Sequence, residues 1–261
     1  MPTDIDDVRT IVEKSGNSFH CKVLQHIKTQ GWTVLVSPYY NDNSSGKPRE
    51  IDLIAEKAFN LQDRFSRFCG NVNVRLFIEC KYIPQKTVFW FHDRDAEKSI
   101  ALVEQTSPCR RDNIYTKEHH YLADDRVAKL FADEKSKGVE NEVFYKALNQ
   151  SLNGLIYYRN KNSIIHIPAN RQNYTKYVLC YPVIACNSFN SLYGVSIDTD
   201  DDPVRLNDNF QLEVNYAYTS QQGADANEFF LIDIVDFTRL DEFLETIKKD
   251  AELAGFFLSP S

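Results

Sequence analysis

Three side chains in the first third of the chain have the types and spacing to hold a divalent cation: Asp52, Glu79 and Lys81. Glu79 and Lys81 flank Cys80 at the end of the apolar run VRLFIECKY (74–82), and Asp52 sits between Ile51 and Leu53 in REIDLIAEK (49–57). Both runs have strand composition. Residues two apart on a strand share a face, so Glu79 and Lys81 point one way and Cys80 the other. If the two strands pair, Asp52 lies beside them, and two carboxylates and one ammonium share a small patch. Such a patch suits a divalent cation and an activated water.

The elements that must position these residues follow from periodicity and punctuation. Residues 5–30 repeat apolar side chains near the helical period through Ile11, Val12, Phe19, Val23, Leu24 and Ile27. Gly16 and Asn17 can divide this helix, and Gly31 is placed as its C-cap. WTVLVSPYY (32–40) reads as a first strand, NDNSSGKP (41–48) as a turn, and REIDLIAEK as the second strand. An irregular connector leads to the third strand. Helices are expected over 93–105 and 124–138, with the polar, basic segment 106–123 between them as a mobile loop. His119 and His120 in that segment lack a partner carboxylate pattern and are expected to be solvated. A helix over 139–159, strands over 176–186, 191–197, 210–218 and 228–237, and an amphipathic helix over 238–253 complete the order. The simplest account is one α/β domain with a helical insertion.

Composition sets outer limits. With 261 residues, 43% hydrophobic and 26% charged, the chain has the make-up of an ordinary globular protein. No apolar run approaches the ~18 residues of a membrane span. The start, MPTDIDDVRT, is acidic where a signal peptide is basic, so a cytoplasmic location is expected. Cys21, Cys69, Cys80, Cys109, Cys180 and Cys186 form no CxxC pair and no zinc spacing, and are expected as reduced structural thiols. Walker A, GxGxxG and GxSxG motifs are absent, so the chain brings no ATPase motor of its own. Net charge is −7, unevenly spread. Residues 143–197 carry five bases and no acid (+5), whereas 198–261 carry fifteen acids against four bases (−11). A basic stretch inside an acidic chain can still face phosphates.

The strings GNSFH (16–20), GWTV (31–34), REIDLIA (49–55) and Glu79-Cys80-Lys81 together resemble the PD-(D/E)xK nuclease superfamily, in its restriction-endonuclease-like and Holliday-resolvase-like branch. The likeness covers roughly residues 11–82. It implies an α-β-β-β-α-β core with a mixed central sheet flanked by helices, here about 5–90 and 139–197. A helical insertion (about 91–138) and an acidic C-terminal β/α extension (about 198–261) would join this core in a single domain. It also implies a Mg²⁺ or Mn²⁺ site built by Asp52 and Glu79, with the Cys80 backbone carbonyl as a further ligand and Lys81 orienting water or stabilising charge. The superfamily's first-helix Glu falls on His20 by position. Glu13, seven residues earlier and nearly on the same helix face, is the alternative. Gln150 and Lys146, one turn apart on a later helix, can face the metal, as helix-borne Gln and Lys do in some branches.

The expectation is therefore a metal-dependent endonuclease acting on DNA, double-stranded by preference, in prokaryotic or phage restriction, defence or repair. RNA is a weaker substrate alternative. Arg110, Arg111, Lys117, Lys146, Arg159, Lys161 and Arg171 are the expected phosphate contacts. Cutting both strands of a duplex suggests a homodimer. The alternative is a catalytically inactive nuclease-fold subunit, with His20 in the Glu position and the acidic C-terminal part as a protein-docking surface.

Overall fold

Strand alternation and helix periodicity sort the apolar residues into two cores, one on each face of a single sheet. The computed structural model describes residues 4–14, 16–43, 45–62, 65–133, 143–161, 174–220 and 223–259. Two helices, α1 (Asp4–Lys14) and α2 (Asn17–Thr29), lead to β1 (Thr33–Val36), β2 (Tyr39–Asn41), β3 (Pro48–Glu50), β4 (Leu53–Gln62), β5 (Phe68–Lys81) and β6 (Thr87–Asp93). Then follow α3 (Ala96–Thr106), β7 (Arg126–Asp133), α4 (Val143–Tyr158), β8 (Thr175–Cys186), β9 (Leu192–Ser196) and β10 (Val204–Arg205). β11 (Phe210–Thr219), β12 (Asp225–Asp236) and α5 (Leu240–Leu258) complete the order.

Ten strands form one mixed sheet in the order β1-β4-β5-β8-β12-β11-β7-β6-β9-β10. β1, β4 and β5 run antiparallel in turn, while β5, β8 and β12 are parallel neighbours. Phe19, Val23 and Ile27 of α2, Leu102 and Val103 of α3, and Phe243, Ile247 and Ala251 of α5 cover one face. Phe144, Leu148, Leu152 and Leu155 of α4 cover the other. The protein is thus α/β, with a large mixed central sheet flanked by helices. Strands β11 and β12, from the expected C-terminal extension, lie within this sheet, and β12 is the direct neighbour of β8.

Five expectations change. The expected helix over 124–138 is strand β7 as far as Asp133, its remainder lying outside the described residues. Its Ala, Lys and Leu favour helix, but pairing with β6 on one side and β11 on the other overrides local propensity. Strand β6 has no counterpart among the expected elements. The expected irregular connector is a long β4–β5 hairpin, paired from Leu53–Ile78 out to Gln62–Phe68. The first and second strands are each broken, at Ser37-Pro38 and at Ile51-Asp52, so that a small β2–β3 hairpin stands apart from the main sheet.

The fifth change concerns His119 and His120, which are buried rather than solvated, at 1% and 8% exposure. Their segment forms two short 3-10 turns, Ile114–Glu118 and His120–Leu122, instead of an open loop. The carboxylates that hold them come from far along the chain, Asp233 on β12 and Asp250 on α5, so no local pattern announces them. His119 Nδ1 accepts the Tyr121 N–H at 3.2 Å, which leaves its proton on Nε2, 3.3 Å from Asp250 Oδ2. His120 Nδ1 meets the same Asp250 oxygen, and its Nε2 lies 3.3 Å from Asp233. Tyr181 adds a hydroxyl donor to Asp250 at 3.0 Å.

With carboxylates at both ring nitrogens, His120 is an imidazolium. Burial opposes that charge, but Asp250 and Asp233 outweigh it and raise its pKa to about 10. Burial holds His119 neutral, lowering its pKa to about 4. A raised histidine pKa contributes stability that is complete below the unfolded value of 6.5 and is lost as pH climbs toward 10. His120→Gln is expected to cost about 3 kcal/mol or more in urea denaturation at neutral pH, because it strands buried carboxylates. It should also remove the alkaline part of the wild-type stability loss. An unchanged midpoint would show that the cluster does not tie the turns to α5 and β12.

Candidate active site

The register of β4 on β5 brings the candidate carboxylates together. Leu53 is the first residue of β4 and pairs with Ile78, so Asp52 and Glu79 fall at the next step, where the backbone ladder has ended. Side chains take over there. Asp52 N–H donates to Glu79 Oε1 at 3.2 Å, and Cys80 N–H donates to Asp52 Oδ2 at 2.7 Å. Lys81 Nζ lies 2.8 Å from Glu79 Oε2. Phe77 packs with the α4-side core and Cys80 against the opposite one, which puts Glu79 on the α4 side.

A backbone bend holds Asp52 at this point. Ser37 has a positive φ of 52°, and its N–H donates to the Asp52 carbonyl at 2.8 Å. Ile51 N–H donates in return to the Pro38 carbonyl at 3.2 Å. The chain leaves the main sheet here to form the β2–β3 hairpin, which lies against α4. Gln150 Nε2 donates to the Glu50 carbonyl at 3.0 Å, and Tyr158 hydroxyl to the Tyr39 carbonyl at 2.6 Å. On the far side, Asn187 N–H donates to the Lys81 carbonyl and its Oδ1 accepts from Ile83 N–H, joining the exits of β5 and β8. The site therefore lies at the carboxyl ends of parallel strands, a common place for ligands in open α/β sheets.

Electrostatics separate the roles of the three groups. Glu79 is fully buried, and desolvation raises its pKa to about 8, with Asp52 adding to the shift and Lys81 opposing it. Burial alone would pull the Lys81 ammonium down, but Glu79 and Asp52 outweigh it and leave its pKa raised. Lys81 thus keeps its proton. Burial, reinforced by the two carboxylates, pushes the Cys80 thiol well up, which makes it unreactive.

The two carboxylates and the adjacent peptide carbonyl are hard oxygen donors, the set that Mg²⁺ or Mn²⁺ prefers. Each carboxylate retains lone pairs beyond the bonds it makes here. The donor set therefore fits such an ion. The donor atoms of His119, His120 and Asp250 also lie within 4.8 Å of one another. There, however, the proton on His119 Nε2 leaves no lone pair for a metal, and His120 has both ring nitrogens on carboxylates.

Beside the candidate site a polar cleft of about 610 Å³ runs between the hairpin and α4. Tyr40, Asp42 and Arg49 line one wall, and Tyr145, Lys146, Asn149, Gln150 and Asn153 the other. Gln150 in its wall is bonded to the Glu50 carbonyl, two residues before Asp52, which places the cleft beside the carboxylates. Gln150 and Lys146 therefore do meet in one cleft, with Gln150 bonded to the hairpin backbone. Tyr40, Arg49, Asn149 and Asn153 were not anticipated. The spacing of Tyr145, Lys146, Asn149, Gln150 and Asn153 is nevertheless a polar stripe at helical period.

The other expected site residues scatter. His20 lies in the first turn of α2, at the same end of the sheet, since the neighbouring Phe19 ring contacts Phe237 just after β12 at 5.6 Å. Its Nε2 is buried and finds no hydrogen-bond partner among the described residues. Glu13 belongs to α1, and its side chain lies outside the described part of the structure. Arg110, Arg111 and Lys117 are exposed near α3, and Arg111 pairs with Glu97. Arg159 is taken up by Glu228 through two bonds of 2.7 and 2.9 Å. Lys161 sits over the Tyr157 ring at 3.7 Å, and Arg171 lies outside the described residues. No helix among the described residues is long and apolar enough to cross a membrane. No known family model, curated protein or solved structure matches the chain.

Glu79 binds a proton in the folded protein that the unfolded chain releases between its ordinary value of 4.5 and about 8. Stability in EDTA should therefore fall as pH rises through that window. Glu79→Gln is expected to flatten this part of the profile, measured by urea denaturation between about pH 4.5 and 8. Parallel profiles for the two proteins would mean that Glu79 is already ionised in the fold.

Proposed function

We propose that the protein is a metal-dependent nuclease that hydrolyses phosphodiester bonds in DNA. One observation carries the reading: Asp52, Glu79 and Lys81 converge where the β4–β5 ladder ends, at the carboxyl end of β5. The element order around them supports it. Leaving aside the β2–β3 hairpin and the stretch from β6 to β7, α2, β1, β4, β5, α4 and β8 follow the α-β-β-β-α-β order of a restriction-endonuclease-like core.

Asp52 and Glu79 would hold Mg²⁺ or Mn²⁺, with the Cys80 carbonyl nearby, and a bound ion would polarise the phosphate and lower the pKa of water. Lys81 stays protonated, so its part is to donate a hydrogen bond to a phosphate oxygen or to the attacking water and to offset developing negative charge. It is not the base. Asp52 also accepts the Cys80 N–H, which holds the β5 terminus in place. Lys146, exposed on α4 at the cleft, is the best placed of the expected phosphate contacts. Arg159, already neutralised by Glu228, is the least available.

The test is cleavage of plasmid and of labelled single- and double-stranded oligonucleotides with Mg²⁺ or Mn²⁺. Lys81→Ala and Asp52→Ala should each lower the rate about 100-fold or more while the fold survives, as judged by thermal melting. A wild-type protein that cuts none of these substrates, or a Lys81→Ala variant as active as wild type, rejects the catalytic reading.

A further inference from the structure

The proposed hydrolysis makes no use of the amide side chains on α4, and one of them lacks a partner. Asn149 Nδ2 donates to the Tyr145 carbonyl at 2.8 Å, which fixes Asn149 Oδ1 as the acceptor for the Tyr216 hydroxyl, also at 2.8 Å. The Tyr216 oxygen in turn accepts from Asn153 Nδ2 at 2.9 Å. The bonds run in one direction, so the amide orientations are determined by the network itself. They end on Asn153 Oδ1, a buried acceptor with no donor among the described residues. Asn153 is only 1% exposed, and it lines the 610 Å³ cleft. A buried acceptor is costly unless something supplies the hydrogen.

The rest of the cleft indicates what that something is. Its volume lies within the range of small-ligand pockets, about 300–1,000 Å³. Tyr145, half-buried on α4, contributes aromatic surface, and Lys146 contributes positive charge, while Arg49 lies 3.8 Å from Asp42 on the opposite wall. Gln150 spends its Nε2 on the Glu50 carbonyl, which keeps its Oε1 as a second amide acceptor in the cleft. Aromatic faces, amide groups that read base edges, and cations for phosphate are how proteins hold a nucleotide taken out of its stack.

We propose that this cleft takes an unpaired nucleobase with an exocyclic amine, cytosine being the reference case, from the strand whose phosphate meets Asp52, Glu79 and Lys81. Cytosine presents an N4 amine where thymine presents a carbonyl oxygen. Asn153 Oδ1 accepts from the former and repels the latter. A base paired in a duplex has that amine occupied, so the substrate is single-stranded or locally splayed DNA. The phosphate half of this statement rests on the nuclease reading. Base binding does not.

The test is fluorescence anisotropy of the full chain with labelled oligo(dC) and oligo(dT) of equal length, in EDTA so that no cleavage intervenes. Oligo(dC) is expected to bind about fivefold more tightly than oligo(dT), and Asn153→Ala to abolish the difference. Lys146→Ala should weaken both equally and reduce the salt dependence. Equal affinity of wild type for the two oligonucleotides overturns the proposal whether or not the Asn153 variant folds, as does a preference that survives Asn153→Ala. A base preference in a protein that never cleaves leaves this inference standing and removes the nuclease reading. Cleavage without any preference does the reverse.

Discussion

The main-chain ladder between β4 and β5 stops one residue short of Asp52, and two carboxylates complete it. This exchange of main-chain for side-chain hydrogen bonds is the constraint on which the local structure depends. A carbonyl in place of the Asp52 carboxylate would satisfy Cys80 N–H equally well but would carry no charge. The substitution thus builds a charged site without leaving a donor orphaned. It also requires the chain to turn out of the sheet at this residue. The positive φ of Ser37 and the reciprocal bonds between 37–38 and 51–52 make that turn. The β2–β3 hairpin, its seat on α4 and the cleft between them all follow from it.

Elsewhere among the described residues, several buried charges are likewise closed on partners of their own. Arg75 and Glu56 are almost wholly buried, 3.1 Å apart, and Asn73 donates to the second Glu56 oxygen. Arg75 also donates to the Lys161 carbonyl at 2.6 Å, where α4 ends, and so ties that helix to the sheet. His120 is balanced by Asp233 and Asp250, and Glu79 by Lys81. Such groups add little net stability over apolar packing, but any single missing partner is expensive. They hold particular segments in particular places: α4 on β5, the 3-10 turns on α5, and the two functional strands on each other. Four acids of the strongly acidic C-terminal part, Glu213, Asp233, Asp236 and Asp250, are buried, so the surface of that part is less negative than its sequence.

Local pattern made much of this legible. The split of the first helix near Gly16, the α3 helix, strands β8, β9, β11 and β12, and the final helix lie where periodicity and turn residues place them, because each buries a stripe or face of its own. The pairing of Asp52 with Glu79 and Lys81 was legible too, since strand alternation alone puts Glu79 and Lys81 on one side. What pattern could not show was non-local. β7 has a helix former's composition and becomes a strand only because β6 and β11 offer it edges. His119 and His120 look solvated until residues more than a hundred positions away supply the carboxylates. Arg159 looks available to phosphate until the β11–β12 hairpin presents Glu228 and Tyr218.

Helix α4 joins these themes. One of its stripes, Phe144, Ala147, Leu148, Ser151, Leu152 and Leu155, is buried against the sheet, and the Ser151 hydroxyl reaches the Phe77 carbonyl two residues before Glu79. The adjacent stripe, Tyr145, Lys146, Asn149, Gln150 and Asn153, faces the hairpin and the cleft. Gly154 permits both at once: a Cβ there would come within 2.9 Å of the Ile51 side chain, the residue that precedes Asp52. Helix, hairpin and carboxylate are therefore positioned by one close approach. A side chain at 154 would press on the Cδ1 end of Ile51, which would have to shift. The apolar contact beneath the hairpin and the charged contact at its edge thus sit on adjacent residues, Ile51 and Asp52.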